Sequence, residues 1–211
     1  MGADRSKKTD TGNDIDYRAP AKPIRLIVDG REFVIPSNNL ELAGVWEDGK
    51  KAYEGEALVL IDADDFGPVK ANANPDYAIT VTLHEGPVHL PAVWDGGKEL
   101  ALRLEGNSER YSRILRNPKA DQFRLYAFAK ADNTADEFYE FFADKLQGGD
   151  DTFFLRCQKG GAVCIYQMNF EGLRVDVNFE KRYLSRWRLI RSSINDKLEK
   201  FYVGNPGITK Q

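Results

Sequence analysis

The sequence predicts an α+β fold, with antiparallel β-sheets and two amphipathic helices in its C-terminal half. Three observations lead there. Short apolar runs with period-two alternation fill the first half. Asp-Gly and Gly-Gly pairs sit between strand-like runs, where hairpin turns belong. Apolar residues recur every three or four positions from Tyr183 to Phe201. At 211 residues, 42% hydrophobic and 30% charged, the chain has the composition of a globular protein and the length to bury a large core.

Residues 1–23 read as a disordered tether. They are polar, rich in Asp, Lys, Thr and Gly, and hold Pro20 and Pro23 near their end. Met1–Ser6 fits the M-G-x-x-x-[ST] myristoylation pattern, but a pattern this short also matches by chance. The competing reading is a start codon added where a signal segment has been removed. Ile24–Val28 and Glu32–Ile35 then flank Asp29-Gly30 as a hairpin, which Pro36 and the polar turn Ser37-Asn38-Asn39 close. Ala57–Asp62 is a buried-type strand that ends in an acidic loop holding Asp62, Asp64 and Asp65. Tyr77–His84 puts Tyr77, Ile79, Val81 and Leu83 on one face and Thr80, Thr82 and His84 on the other. Val88–Trp94 and Glu99–Leu104 are further strands about Asp95-Gly96-Gly97. Residues 24–106 are thus a mainly β region. The polar stretch Asn107–Lys119, with Pro118, separates it from an α+β region over 120–203.

In that second region Gln122–Ala129 reads as a strand. Thr134 and Glu137 form a capping box, Phe138, Phe141, Phe142 and Leu146 make one apolar face, and Gly148-Gly149 stop the helix so defined. Thr152–Cys157 and Ala162–Phe170 follow as a hairpin. Leu173, Val175, Val177 and Phe179 alternate with Arg174, Asp176 and Asn178 in another strand. Tyr183, Leu184, Trp187, Ile190, Ile194, Leu198 and Phe201 line a final helix of about five turns, which Gly204-Asn205-Pro206-Gly207 ends.

The two cysteines fall in the second hairpin. Pairing about Gly160-Gly161 sets Lys159 against Ala162, Gln158 against Val163 and Cys157 against Cys164. Opposed residues have Cα atoms about 4.5–5.5 Å apart, within the span of a disulfide. The expectation is a cross-strand Cys157–Cys164 disulfide and hence an oxidising compartment. A pair of buried thiols is the alternative; a metal pair would lack further ligands.

Motifs for catalysis do not emerge. G-x-S-x-G, G-x-x-x-x-G-K-[ST] and G-x-G-x-x-G are absent from the sequence. His84 and His89 have a spacing compatible with a metal, yet only Glu85 stands beside them. The acidic loop begins like a calcium loop but lacks its Glu at position twelve. The net charge of −3, from 30 basic and 33 acidic residues, disfavours nucleic-acid binding. Lys181, Arg182, Arg186, Arg188, Arg191, Lys197 and Lys200 fall mostly off the apolar stripe of the last helix, as a solvated face with pairs such as Asp196–Lys200. Apolar stretches such as Ala57–Ile61 are far shorter than the ~20 residues of a membrane span. The chain is expected to be neither an enzyme nor a cofactor binder.

Three features resemble a known group. They are Ile35-Pro36-Ser37-Asn38-Asn39 after the first strand pair, the close cysteine pair between Phe154 and Met168, and the passage from Leu173–Phe179 into a helix with Trp187-Arg188. Together they resemble the periplasmic immunity lipoproteins of type VI secretion effectors, notably lipase-class toxins. The likeness is best over the last 60 or so residues. It implies a stoichiometric inhibitor whose partner is a cognate secreted toxin, encoded by an adjacent gene. It further implies a periplasmic protein, lipid-anchored in its native precursor, that covers the toxin's active site. Asp62, Asp64, Asp65, Phe66 and Trp94 are the candidate partner-binding residues, because an acidic loop beside aromatics can steer and anchor a partner. A periplasmic ligand-binding module without catalytic activity is the alternative.

Overall fold

A computed structural model of the chain describes residues 22–40, 53–54, 57–69, 78–88, 92–94, 99–103, 111–130, 139–144 and 153–204. β1 (Pro23–Val28) and β2 (Arg31–Pro36) form the expected hairpin. Asp29 and Gly30 both take positive φ, 45° and 71°, which gives the turn the twist of its flanking strands. β3 (Tyr53–Glu54) lies parallel to β1.

The next ten strands build one antiparallel sheet. They are β4 (Ala57–Asp62), β5 (Ala78–His84), β6 (Ala92–Trp94), β7 (Glu99–Arg103), β8 (Tyr111–Arg116), β9 (Tyr126–Lys130), β10 (Tyr139–Ala143), β11 (Phe154–Gln158), β12 (Val163–Phe170) and β13 (Leu173–Glu180). Their spatial order is β4-β5-β13-β12-β11-β10-β9-β8-β7-β6, a meander from β6 to β13 whose last strand returns to β5. β8 falls inside the stretch read as the junction between the two halves. A 3-10 turn, Lys181–Arg186, leads into α1 (Trp187–Phe201). β14 (Tyr202–Gly204) then pairs antiparallel with β2, Tyr202 opposite Phe33, and completes a small sheet in the order β14-β2-β1-β3.

Burial follows the alternation. Val59 and Ile61, Ile79, Val81 and Leu83, and Leu173, Val175, Val177 and Phe179 face one core. Leu26, Val28, Phe33 and Ile35 of the small sheet enter the same core, as do Tyr183, Leu184, Trp187, Ile190, Ile194 and Leu198. The helix stripe is therefore the one the sequence shows, with its first turn wound as 3-10. Cys157 and Cys164 are paired in register and joined by a disulfide, S–S 2.00 Å and Cα–Cα 4.0 Å. Their turn is shifted by one residue from the expected Gly-Gly pair. Gly161 N–H donates to Gln158 O, and Gly160 takes φ +67°.

The fold class needs correction. Tyr139–Ala143, inside the expected first helix, is strand β10, paired with both β9 and β11. Phe142 enters the main core, whereas Phe141 and Ala143 join Ile114 and Phe128 in a second cluster on the other face. A strand buried on both faces loses its polar alternation and reads as an apolar run, which a helical period fits equally well. Thr134, Glu137, Phe138, Leu146, Gly148 and Gly149 lie outside the described residues, as does the tether up to residue 21. Among the described residues the protein is mostly β-sheet with one α-helix, α1, rather than α+β with two.

Candidate partner-binding surface

The acidic run after β4 is a folded loop. Asp62 N–H donates to Gly67 O (2.9 Å) and Phe66 N–H donates to Asp62 O (3.0 Å). The carboxylate of Asp62, a buried residue, accepts from the backbone N–H of Asp64 (2.8 Å) and Asp65 (3.2 Å). An aspartate that caps its own turn is a structural part of the loop. Asp65 Oδ1 accepts from Gly67 N–H at 2.7 Å. The Asp64 side chain is 76% exposed.

The start of the helical segment holds this loop. Arg186 donates from Nη1 to Ala63 O (3.0 Å) and from Nη2 to Asp64 O (3.2 Å), and its guanidinium lies 5.3 Å from the centre of the Phe66 ring. Tyr183 OH lies 3.3 Å from Asp64 Oδ1. Its phenol is pushed above the ordinary range, first by burial. Phe66 is partly buried against the main core at φ 57°, a left-handed conformation that costs an aromatic residue about 1–2 kcal/mol. Asp62, Asp64, Asp65 and Phe66 are thus brought together. Trp94 is in β6, at the opposite edge of the ten-stranded sheet from β4, so strand pairing does not join it to them.

The next residue along, Trp187, holds a second loop. Its indole Nε1–H donates to Phe123 O at 3.1 Å. Phe123 and Arg124 are the centre of a tight turn in which Gln122 and Leu125 exchange both backbone hydrogen bonds (3.3 and 2.7 Å). Both centre residues are left-handed, φ 51° and 64°. Asp121 braces the turn: its carboxylate takes a two-pronged contact from Arg116, 2.6 Å at Nη1, and accepts from Ala127 N–H at 2.9 Å. The Arg116 hydrogen bond holds the Asp121 carboxyl below the usual carboxylate range. Phe123 stands 48% exposed at the tip.

The strand expected over Gln122–Ala129 begins only at Tyr126, after this turn. Such turns are signalled by Asn, Asp or Gly, and Phe-Arg carries no such signal. The acidic loop was legible as a loop, but its docking on Arg186 depends on a residue 122 positions away.

The histidine cluster sits elsewhere, on the sheet face turned away from α1. Asp176 accepts from Gln167 Nε2 at 2.9 Å and lies 3.3 Å from His84 Nε2 and 3.4 Å from Arg174 Nε. This ties three strands together through one carboxylate. His89 lies outside the described residues. Among the described residues no three His, Cys, Asp or Glu side chains are grouped to hold a metal ion, and no helix is long and apolar enough to cross a membrane.

The candidate surface is therefore two hydrogen-bonded loops, held by the consecutive residues Arg186 and Trp187. No protein-family model matches the chain. No curated protein matches it in sequence. Among solved structures, it is similar to Smlt3025, described as an immunity protein of the Stenotrophomonas maltophilia type IV secretion system. The TM-score is 0.57 and the identity 14%, over 87% of this chain and 94% of that one. A likeness of this kind, nearly end to end in both chains, establishes a shared fold.

Proposed function

We propose that this chain is an immunity protein, which binds a cognate secreted toxin one to one and covers its active site or locks its lid. The observation that carries the reading is the shared fold with Smlt3025 over almost the whole of both chains. The surface described above fits the role. A disulfide-braced sheet and a helix present two short loops whose backbones are closed by their own hydrogen bonds, so little conformational freedom is lost on docking. The periplasm is the proposed compartment, because a buried cross-strand disulfide suits an oxidising environment. A type VI, lipase-class toxin and a lipid anchor are the finer reading, and they rest on the sequence resemblance.

The test is rescue. The chain, directed to the periplasm, is co-expressed with the product of the adjacent gene, and survival is followed. Survival with a complex that copurifies is the expected result. Death, or no complex, overturns the pairing and returns the ligand-binding module to first place.

A further inference from the structure

The two loops offer a partner different things. In the acidic loop, Asp64 already faces Tyr183 OH (3.3 Å) and Arg186 Nη1 (3.9 Å) of its own chain. The turn at Phe123-Arg124 is less self-contained. Its ring is half exposed, and folding gives it little reason to be aromatic. Two other described turns have consecutive left-handed residues, Asp29-Gly30 and Glu171-Gly172, and both use an acidic residue followed by Gly. In both, the second residue is Gly, which takes positive φ without strain, where this turn has Arg124; and a benzyl side chain at the first position pays in backbone strain and, half exposed, recovers only part of its burial.

Charge adds to this. Residues 181–201 carry seven Lys or Arg against Asp196 and Glu199, in a chain of net charge −3. Most of these cations are engaged. Lys181 meets Glu140, Arg182 meets Glu180, Arg191 meets Asp144, and Arg186 holds the acidic loop. Arg188 is different. It is exposed, makes no ion pair among the described residues, and lies 4.3 Å from the centre of the Trp187 ring. Phe153 stacks on that same indole at 4.4 Å, which leaves the guanidinium the other face. Arg124, in the turn itself, is likewise exposed without an ion pair among the described residues. One buried indole therefore fixes both groups: its Nε1–H grips the Phe123 carbonyl, and its ring seats Arg188.

We propose that Phe123, Arg124 and Arg188 form the anchor by which this chain docks on its toxin, and that the toxin presents there an apolar pocket rimmed by carboxylates. The proposal rests on the immunity reading and names the partner's chemistry at that site. A half-exposed ring gains burial by entering an apolar receptor. Two guanidiniums with no ion pair among the described residues match carboxylates through paired N–H donors. Aromatic and Arg side chains held in place before contact are the kind that dominate binding energy.

The experiment measures affinity for the purified product of the adjacent gene by calorimetry, with the full chain and three variants. Asn tolerates left-handed φ, so Phe123→Asn removes the ring and keeps the turn. Its thermal midpoint should stay within about 4 °C of the parent, while binding weakens roughly thirty-fold. Arg188→Glu should weaken binding as well, and more at low salt than at high. Lys159→Glu, a charge reversal at an exposed residue past the end of β11 remote from Phe153, should leave affinity within about twofold. A complex that forms with the parent chain and is kept by Phe123→Asn and Arg188→Glu, or is weakened as much by Lys159→Glu, overturns the anchor and leaves the immunity reading standing. No complex with the parent chain overturns both.

Discussion

Reducing the Cys157–Cys164 bond should lower stability by an amount set by the loop it closes. The two residues are seven apart in sequence. Chain-entropy reasoning for a loop of that length gives about 2.4 kcal/mol at 25 °C. Reduction is the cleanest perturbation, because both thiols remain in the same buried volume. With a urea dependence of about 2–3 kcal/mol/M for a chain of this size, the unfolding midpoint should fall by about 1 M. The slope should hardly change, because so short a cross-link restricts little of the unfolded chain. The double variant Cys157→Ala/Cys164→Ala should fall further, by the packing lost with two buried sulfur atoms. The assay is equilibrium urea unfolding, followed by Trp fluorescence, with and without dithiothreitol. Equal midpoints for the oxidised and reduced protein would refute the reasoning.

Three further outcomes are expected. Tyr166 is fully buried beside Phe153 and Phe179, and its hydroxyl has no hydrogen-bond partner among the described residues. Burial pushes that phenol well above its ordinary range, so it stays neutral, and Tyr166→Phe should raise stability by about 1 kcal/mol in urea unfolding. Arg186→Ala removes two hydrogen bonds to loop carbonyls and the contact with Phe66, a loss of about 1–2 kcal/mol locally. Amide exchange should quicken at Asp64, Asp65 and Phe66 with little change in the helix. Asp121 should titrate below the ordinary carboxylate value in an NMR pH series, and Arg116→Met should move it back up. Because the folded value is the lower one, the stability this pair adds is present above the unfolded value and is lost as pH falls through the folded one.

What was legible in the sequence is where burial is one-sided. Ile79, Val81 and Leu83 against Thr80, Thr82 and His84, or Val175 and Val177 against Asp176, reveal a strand because only one face meets the core. The Cys157–Cys164 register followed from counting outward from a turn, and a one-residue shift of the turn's centre left it intact. The stripe from Trp187 to Leu198 works the same way at a helical period. β10 was misread because Phe141 and Phe142 are buried on opposite faces. β14 was invisible, since three residues make no pattern and their partner is β2. At the candidate surface, the acidic loop was legible as composition. The part played by Asp62 within it was not, because a carboxylate that caps a turn and one that awaits a partner look alike until the hydrogen bonds are seen. The Phe123-Arg124 turn hid as well, because neither residue type signals a turn.

The pairing of β14 with β2 bears on how the chain comes into being. The small sheet joins its first described strands to its last, and α1 delivers Trp187, Ile190, Ile194 and Leu198 to the core just before that. A nascent chain therefore holds the strands of the large sheet without the helix that covers them until α1 has been made. Contacts that close so late slow folding and keep the emerging polypeptide loose, available to chaperones and to a translocation channel that accepts only unfolded chains. A sheet whose covering helix is made after all ten of its strands is thus compatible with a chain that stays unfolded until α1 is available.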